Sequence, residues 1–247
     1  MSESTQENTE RNSFTRPGFI LSAALVLAIV AAALIIFLVP KGTPQAEPAA
    51  NTTPPAPANT SSTTAGPEES ICGLPSSDST ALGTAPKSTW TLVGRVAAPT
   101  DPRTFGPGVT DSAGFRSCFA HSPTGALYAA ANLVALGARE DTSLQRKLIE
   151  ELVVPGPGRD AALKNVKTPA GGSSSIQIRG FVIKAYSPSQ AHVDLAFETS
   201  TGALGHGVLP LRWLNGDWKV ELADSGDLIN DVAQLSDLNG FIPWSGT

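Results

Sequence analysis

The chain has 247 residues, 16% of them charged, with 17 Lys/Arg against 22 Asp/Glu and a net charge of −5 at pH 7. That balance leaves no basic footprint of the kind that sequence-independent nucleic-acid binding requires. The length past residue 70 suffices for one domain with a proper core.

The first predicted element is Gly18–Val39, 22 residues without a charged side chain. At about 1.5 Å per residue a helix of that length spans roughly 33 Å, enough to cross a hydrocarbon core of about 30 Å. The run is read as an uncleaved signal anchor whose partner is the lipid bilayer. It is long for a secretory h-region, and Val39-Pro40-Lys41 lacks a small-x-small cleavage pattern. The first cysteine, Cys72, lies too far along for a lipoprotein. Arg11 and Arg16 outweigh Lys41 across the span, so residues 1–17 are expected in the cytoplasm and the C-terminal domain outside.

Residues 40–70 are rich in Pro, Ala, Thr and Ser and contain no aromatic side chain. Such a segment buries too little apolar surface to offset the entropy of ordering, and it is expected to be a disordered stalk. Fully extended it reaches about 90 Å at roughly 3.1 Å per residue. The domain 71–247 that follows carries 14 Lys/Arg and 16 Asp/Glu. Both cysteines, Cys72 and Cys118, belong to it, and outside a membrane such a pair is expected to form a disulfide. A metal pair or a catalytic thiol lacks supporting residues nearby.

Within the domain, Thr89–Val96 reads as a first strand, followed by a Pro/Gly-rich connection over Pro99–Gly114. Ser122-Pro123 reads as an N-cap and first turn, opening a helix that is apolar on nearly all sides and hence buried. A second helix is predicted over Thr142–Val153, with Leu144, Leu148, Ile149 and Leu152 on one face. A short third helix covers Arg159–Val166, before a turn at Gly171-Gly172.

The period then changes to two. Strands are predicted over Ser175–Tyr186, with a bulge or bend at Gly180, over Ala191–Thr199 and over Gly207–Leu214. Asn215-Gly216 is a hairpin signal leading to a strand at Trp218–Leu222. A last helix is predicted over Asp227–Leu238, ahead of the aromatic tail Phe241–Trp244.

Helices followed by long bent antiparallel strands indicate an α+β domain, a curved sheet around a buried helix. This order, with the hairpin Arg212–Leu222, resembles the cone-shaped fold of the nuclear transport factor 2-like superfamily. The stretch Cys118–Leu136 is similar to that of an uncharacterised family of membrane-anchored actinobacterial proteins, whose members often accompany mobile elements. The plan of short tail, single span, stalk and cone resembles the scaffold subunits of type IV secretion and conjugation systems. That resemblance implies protein partners in a membrane assembly.

Few residues carry chemistry. His192, Asp194, Ala196 and Glu198 alternate along one strand, opposite Val193, Leu195 and Phe197, so the acidic row is expected to face solvent. Enzymes of the resembled superfamily place their carboxylates inside the cone. His121 precedes a helix start, and His206, flanked by glycines, suits a turn or bulge. Asp111 and Arg116 are candidates for lining an opening to the cone. No GxSxG, HExxH, phosphate-loop or dinucleotide fingerprint occurs. No enzyme activity, cofactor, catalytic residue or metal ligand is therefore expected.

Asp217, Glu221, Asp224, Asp227, Asp231 and Asp237, with only Lys219 among them, form an acidic C-terminal region proposed as a docking surface. The leading expectation is an extracytoplasmic assembly module. The alternative is a ligand-binding or catalytic cone of isomerase or dehydratase type, with a pocket between the central helix and the sheet.

Overall fold

The computed structural model of the chain describes residues 69–166 and 175–246. The tail 1–17, the run 18–39, nearly all of the stalk 40–70 and the Gly171-Gly172 turn lie outside the described residues. Among the described residues no helix is long and apolar enough to cross a membrane.

The single strand predicted over Thr89–Val96 is a hairpin, β1 (Thr89–Val93) against β2 (Val96–Thr100), in the register Val93↔Val96. Gly94 has φ +63°, a conformation a glycine reaches without steric cost, and it turns the chain there. A small pair, β3 (Val109–Thr110) and β4 (Arg116–Ser117), follows.

Helix α1 (Pro123–Gly137) is buried along almost its whole length, as its all-round apolar sequence requires. Ser122 has extended backbone, and its Oγ accepts from Gly125 N at 3.0 Å. The neighbouring chain passes so close that a Cβ on Gly125 would lie 1.9 Å from Ala120 O. Ser122→Ala is expected to cost about 1 kcal/mol, with Ser122→Thr largely restoring it. Urea midpoints of the three proteins check this, and equal midpoints for serine and alanine would rule the cap out as a stabilising contact.

Helix α2 (Thr142–Leu152) is capped by Asp141, whose Oδ1 accepts from Ser143 N and Leu144 N. Helix α3 (Pro157–Lys164) starts two residues before its predicted position, because Pro157 fits the first turn.

The sheet is antiparallel and curved, built from β5 (Ile176–Ser187), β6 (Gln190–Thr199), β7 (Leu204–Leu214), β8 (Asp217–Val220), β9 (Ala233–Leu235) and β10 (Ile242–Pro243). Its order is β10-β5-β6-β7-β8, with β9 also paired to β7. Register shifts at Ile178/Gly180 and Ile183/Ala185 interrupt the β5–β6 ladder, and the first is the bulge predicted at Gly180. Asn215 and Gly216, at φ 55° and 77°, make the predicted β7–β8 hairpin turn.

The helix predicted over Asp227–Leu238 does not form. Strand β7 is eleven residues long and β8 only four, so β8 leaves the Leu204–His206 end of the same edge unpaired. Ala233–Leu235 fills that edge as β9, and backbone pairing there overrides the helical spacing of Leu228, Val232 and Leu235.

The core lies between α1 and the inner face of the sheet, where Leu127, Tyr128, Leu136, Phe181, Leu195, Leu211 and Trp218 are fully buried. Trp244 of the C-terminal tail packs on Trp90, Tyr128 and Phe181, and its indole N–H donates to Ser88 Oγ at 3.0 Å.

Candidate functional site

Strand β7 directs Gly205, Gly207, Leu209, Leu211 and Trp213 toward one face, and all five are buried. The phenyl ring of Phe197 covers Gly205, since a Cβ there would lie 2.9 Å from it. At Gly207 a Cβ would meet only Val232, at an ordinary 3.5 Å. The inner face of the sheet is thus left without a side chain opposite the C-terminal half of α1.

A cavity of about 370 Å³ occupies that space. Its walls are Leu133, Val134 and Gly137 of α1, Leu148 and Ile149 of α2, Val153, and Ala162 of α3. The sheet adds Ile176, Leu195, Phe197, Gly207, Val208, Leu209 and Val220. Leu222, Gly226, Leu228 and Val232 complete the lining. All eighteen residues are Gly, Ala, Val, Leu, Ile or Phe. No lining side chain can donate or accept a hydrogen bond, or act as nucleophile, acid or base. Leu148 and Ile149, predicted as core, are only partly buried because they face this cavity. Gly137, Leu228 and Val232 are both lining and solvent-exposed, which places the mouth beside them. Leu228, Ile229 and Val232 are 44%, 47% and 56% exposed.

The residues singled out in the sequence are mostly used elsewhere. Cys72 and Cys118 form a disulfide with a Cα–Cα distance of 6.2 Å. Asp217 is not part of a docking surface. It is 5% exposed, and its carboxylate accepts from Cys118 N (2.7 Å), Phe119 N (2.9 Å) and Trp218 N (2.9 Å). Burial raises its pKa above the ordinary value, outweighing the three N–H donors and Lys219, which lower it. Glu221 is half-buried and lies 3.8 Å from Arg212. Asp224, Asp227, Asp231 and Asp237 are exposed.

The row His192, Asp194, Ala196, Glu198 does not all face solvent. Asp194 and Ala196 are fully buried on the face away from the core, with Phe241 of the C-terminal tail set edge-on against His206. Asp194 lies 2.9 Å from His206 Nδ1 and 3.2 Å from Lys184 Nζ, two side chains that shield it from water. His206 is within β7, neither a turn nor a bulge. Glu198 pairs with Arg179 at 2.6 Å, and His192 is exposed. His121 stacks on Trp213 with ring centroids 4.0 Å apart and bonds Pro188 O. Asp111 binds Lys147 at 2.7 Å, and Arg116 binds Asn132 and Thr91, so neither lines the cavity.

The sequence places Leu148, Ile149, Leu195, Phe197 and Leu209 on apolar faces and offers a pocket against the central helix as the alternative, but it does not single out the glycines of the wall. Gly207 reads only as the start of a strand and a neighbour of His206, although a glycine on the buried face of an otherwise Leu/Trp strand is a signal for a space beside it. Leu228 and Val232 were assigned to a helix.

No curated protein and no solved structure matches the chain. A family model described as a domain of unknown function, DUF8175, matches residues 52–243, which takes in the disulfide, the three helices, the sheet and the cavity. That match spans well over half of the sequence, and the chain belongs to the DUF8175 family.

Proposed function

We propose that this protein is a binding module tethered at the outer face of a cell membrane, and that its head takes an apolar ligand into the cavity between α1, α2 and the sheet. The observation that carries the reading is the cavity itself, about 370 Å³ with walls that are almost entirely apolar and no polar side chain among them. Volumes of this order are typical of small-molecule sites, from about 300 Å³ upward. Leaving these apolar walls uncovered forgoes burial worth roughly 25 cal/mol per Å². A larger side chain at Gly207 would recover part of it, since a Cβ there makes only an ordinary contact with Val232.

The three helices placed ahead of the six-stranded sheet, the bent strand β5 and the position of the cavity against the central helix support a cone of the nuclear transport factor 2-like kind. The charge-free run 18–39 and the Arg11/Arg16 bias support the anchor and its orientation. A reporter fused after Thr247 checks the topology, and cytoplasmic activity would reverse it.

The sequence ranks assembly ahead of ligand binding; we place ligand binding first because the cavity supports it. Assembly keeps one supporting observation, the exposed trio Leu228, Ile229 and Val232 interleaved with Asp224, Asp227 and Asp231. In that second reading the segment docks a basic partner within a conjugation-like machine. Neither reading includes a catalytic step, because the cavity offers no reacting group.

The test is photolabelling of the full chain in vesicles with adamantyl diazirine, a compact apolar probe. Peptides containing Leu133–Ile149 and Leu195–Leu209 are expected to be labelled, and Gly207→Trp, which sets an indole in the cavity, is expected to suppress that labelling. Labelling confined to residues 18–39 would overturn the reading.

A further inference from the structure

We propose that the occupant of the cavity is one acyl chain of a zwitterionic phospholipid, held with its headgroup outside the mouth beside Leu228 and Val232. The inference rests on the reading of the cavity as a ligand site and names the class of ligand.

Three features select this class. First, the part of the ligand inside must be pure hydrocarbon, because a buried hydroxyl, amide or carboxylate would find no partner among the lining side chains. Most small metabolites carry such groups throughout, whereas an amphiphile confines them to one end. Second, the space of about 370 Å³ is more than twice the roughly 150 Å³ apolar cavity that holds benzene, so it suits an extended hydrocarbon segment rather than a single ring. Third, the mouth is apolar with an acidic fringe. Asp227 directly precedes Leu228, Asp231 directly precedes Val232, and Asp224 lies two residues before Gly226 of the lining.

These three carboxylates are exposed and lie one or two residues along the chain from Gly226, Leu228 and Val232 of the lining, so their field acts on a headgroup at the mouth. They repel a free fatty acid or an anionic headgroup and attract the ammonium end of a zwitterionic one. The exposed side chains of Leu228, Ile229 and Val232 extend the apolar wall outward along the emerging chain. The run Gly18–Val39, read as a membrane anchor, tethers the same chain to a bilayer, which is a source of such chains.

The experiment uses the full chain in vesicles containing phosphatidylcholine with a diazirine at the end of one acyl chain, followed by peptide mapping after illumination. Labelling is expected in two places, in residues 18–39 from the bilayer and in Leu133–Ile149 and Leu195–Leu209 from the cavity. Gly207→Trp and, independently, Gly137→Phe are expected to lower the cavity labelling about tenfold, the factor that corresponds to about 1.4 kcal/mol. Labelling of 18–39 should stay unchanged in both variants, which controls for insertion, and a cooperative urea transition of the head followed by tryptophan emission controls for folding.

If the phosphatidylcholine probe labels only 18–39 while adamantyl diazirine still labels the cavity peptides, the acyl-chain assignment fails and the apolar site stands. If neither probe reaches the cavity, both readings fall. Equal cavity labelling by a phosphatidylglycerol version of the probe would overturn the choice of a zwitterionic headgroup. Asp227→Asn with Asp231→Asn is expected to raise phosphatidylglycerol labelling relative to phosphatidylcholine, and an unchanged ratio would overturn it as well.

Discussion

Asp217→Ala is expected to lower the stability of the head by about 3 kcal/mol, because three buried backbone N–H groups lose their acceptor at once. Cys118 sits at φ 65°, in a left-handed conformation that sets its own N–H and that of Phe119 toward the same carboxylate. Asp217 Oδ1 also accepts from Trp218 N, so one side chain joins the β7–β8 turn to the segment that leads into α1. Asp217→Asn keeps an acceptor for two of the donors but presents a donor to the third, and its loss should be smaller.

Urea unfolding of the full chain, followed by tryptophan emission, reads both variants. A loss below about 1 kcal/mol for alanine would show that water replaces the carboxylate without penalty. The pH dependence has a definite sign. The folded pKa lies above the ordinary value of 3.8, so the folded state binds this proton more tightly than the unfolded chain. The contribution of Asp217 is fully present below that ordinary value and is lost as pH rises through the folded pKa. Both variants should lack this part of the pH profile, and an identical profile in wild type and Asp217→Asn would exclude it.

Removing the disulfide, by reduction or by Cys72→Ser with Cys118→Ser, is expected to cost about 3–4 kcal/mol from the entropy of a loop closed across 46 positions. The bond holds the entry of the chain into the head, where Ile71 N donates to Gly216 O at 2.8 Å and Leu74 N to Ser70 Oγ at 2.6 Å. A Cβ on Gly108 would lie 2.3 Å from Cys72 Sγ, so Gly108→Ala should disturb the same junction. Unfolding with and without reductant measures the effect, and superimposed curves would show that the bond adds nothing. The two predictions share Cys118, so their losses should not add when combined.

Three local signals in the sequence match the structure because one residue type decides the backbone there, while the turn at Gly94 and the helix start at Pro157 are missed. Ser122-Pro123 opened α1, Asn215-Gly216 turned β7 into β8, and the broken alternation at Gly180 marked the bulge. The compartment argument paired Cys72 with Cys118. The other errors arise where a distant segment competes for the same groups. Alternation along β6 put Asp194 on the face opposite the core, which is right, but Lys184, His206 and the tail bury that face too. Asp217 looked like one more member of an acidic run, because its donors at Cys118 and Phe119 are 99 and 98 residues away. The spacing of Leu228, Val232 and Leu235 is helical, yet the open edge of β7 claimed Ala233–Leu235.

The sequence by itself determined the α+β class, the three helices, the long strands β5 to β7 with the β7–β8 hairpin, and the cysteine pair, because these follow from periodicity, caps, turns and composition within short stretches. Only the tertiary structure decided which polar groups are buried and where the core is left unfilled. Gly207, Gly137 and Val232 become walls of one cavity only once β7, α1 and the β8–β9 connection are brought together, since a void belongs to no single segment and leaves no periodicity in the chain.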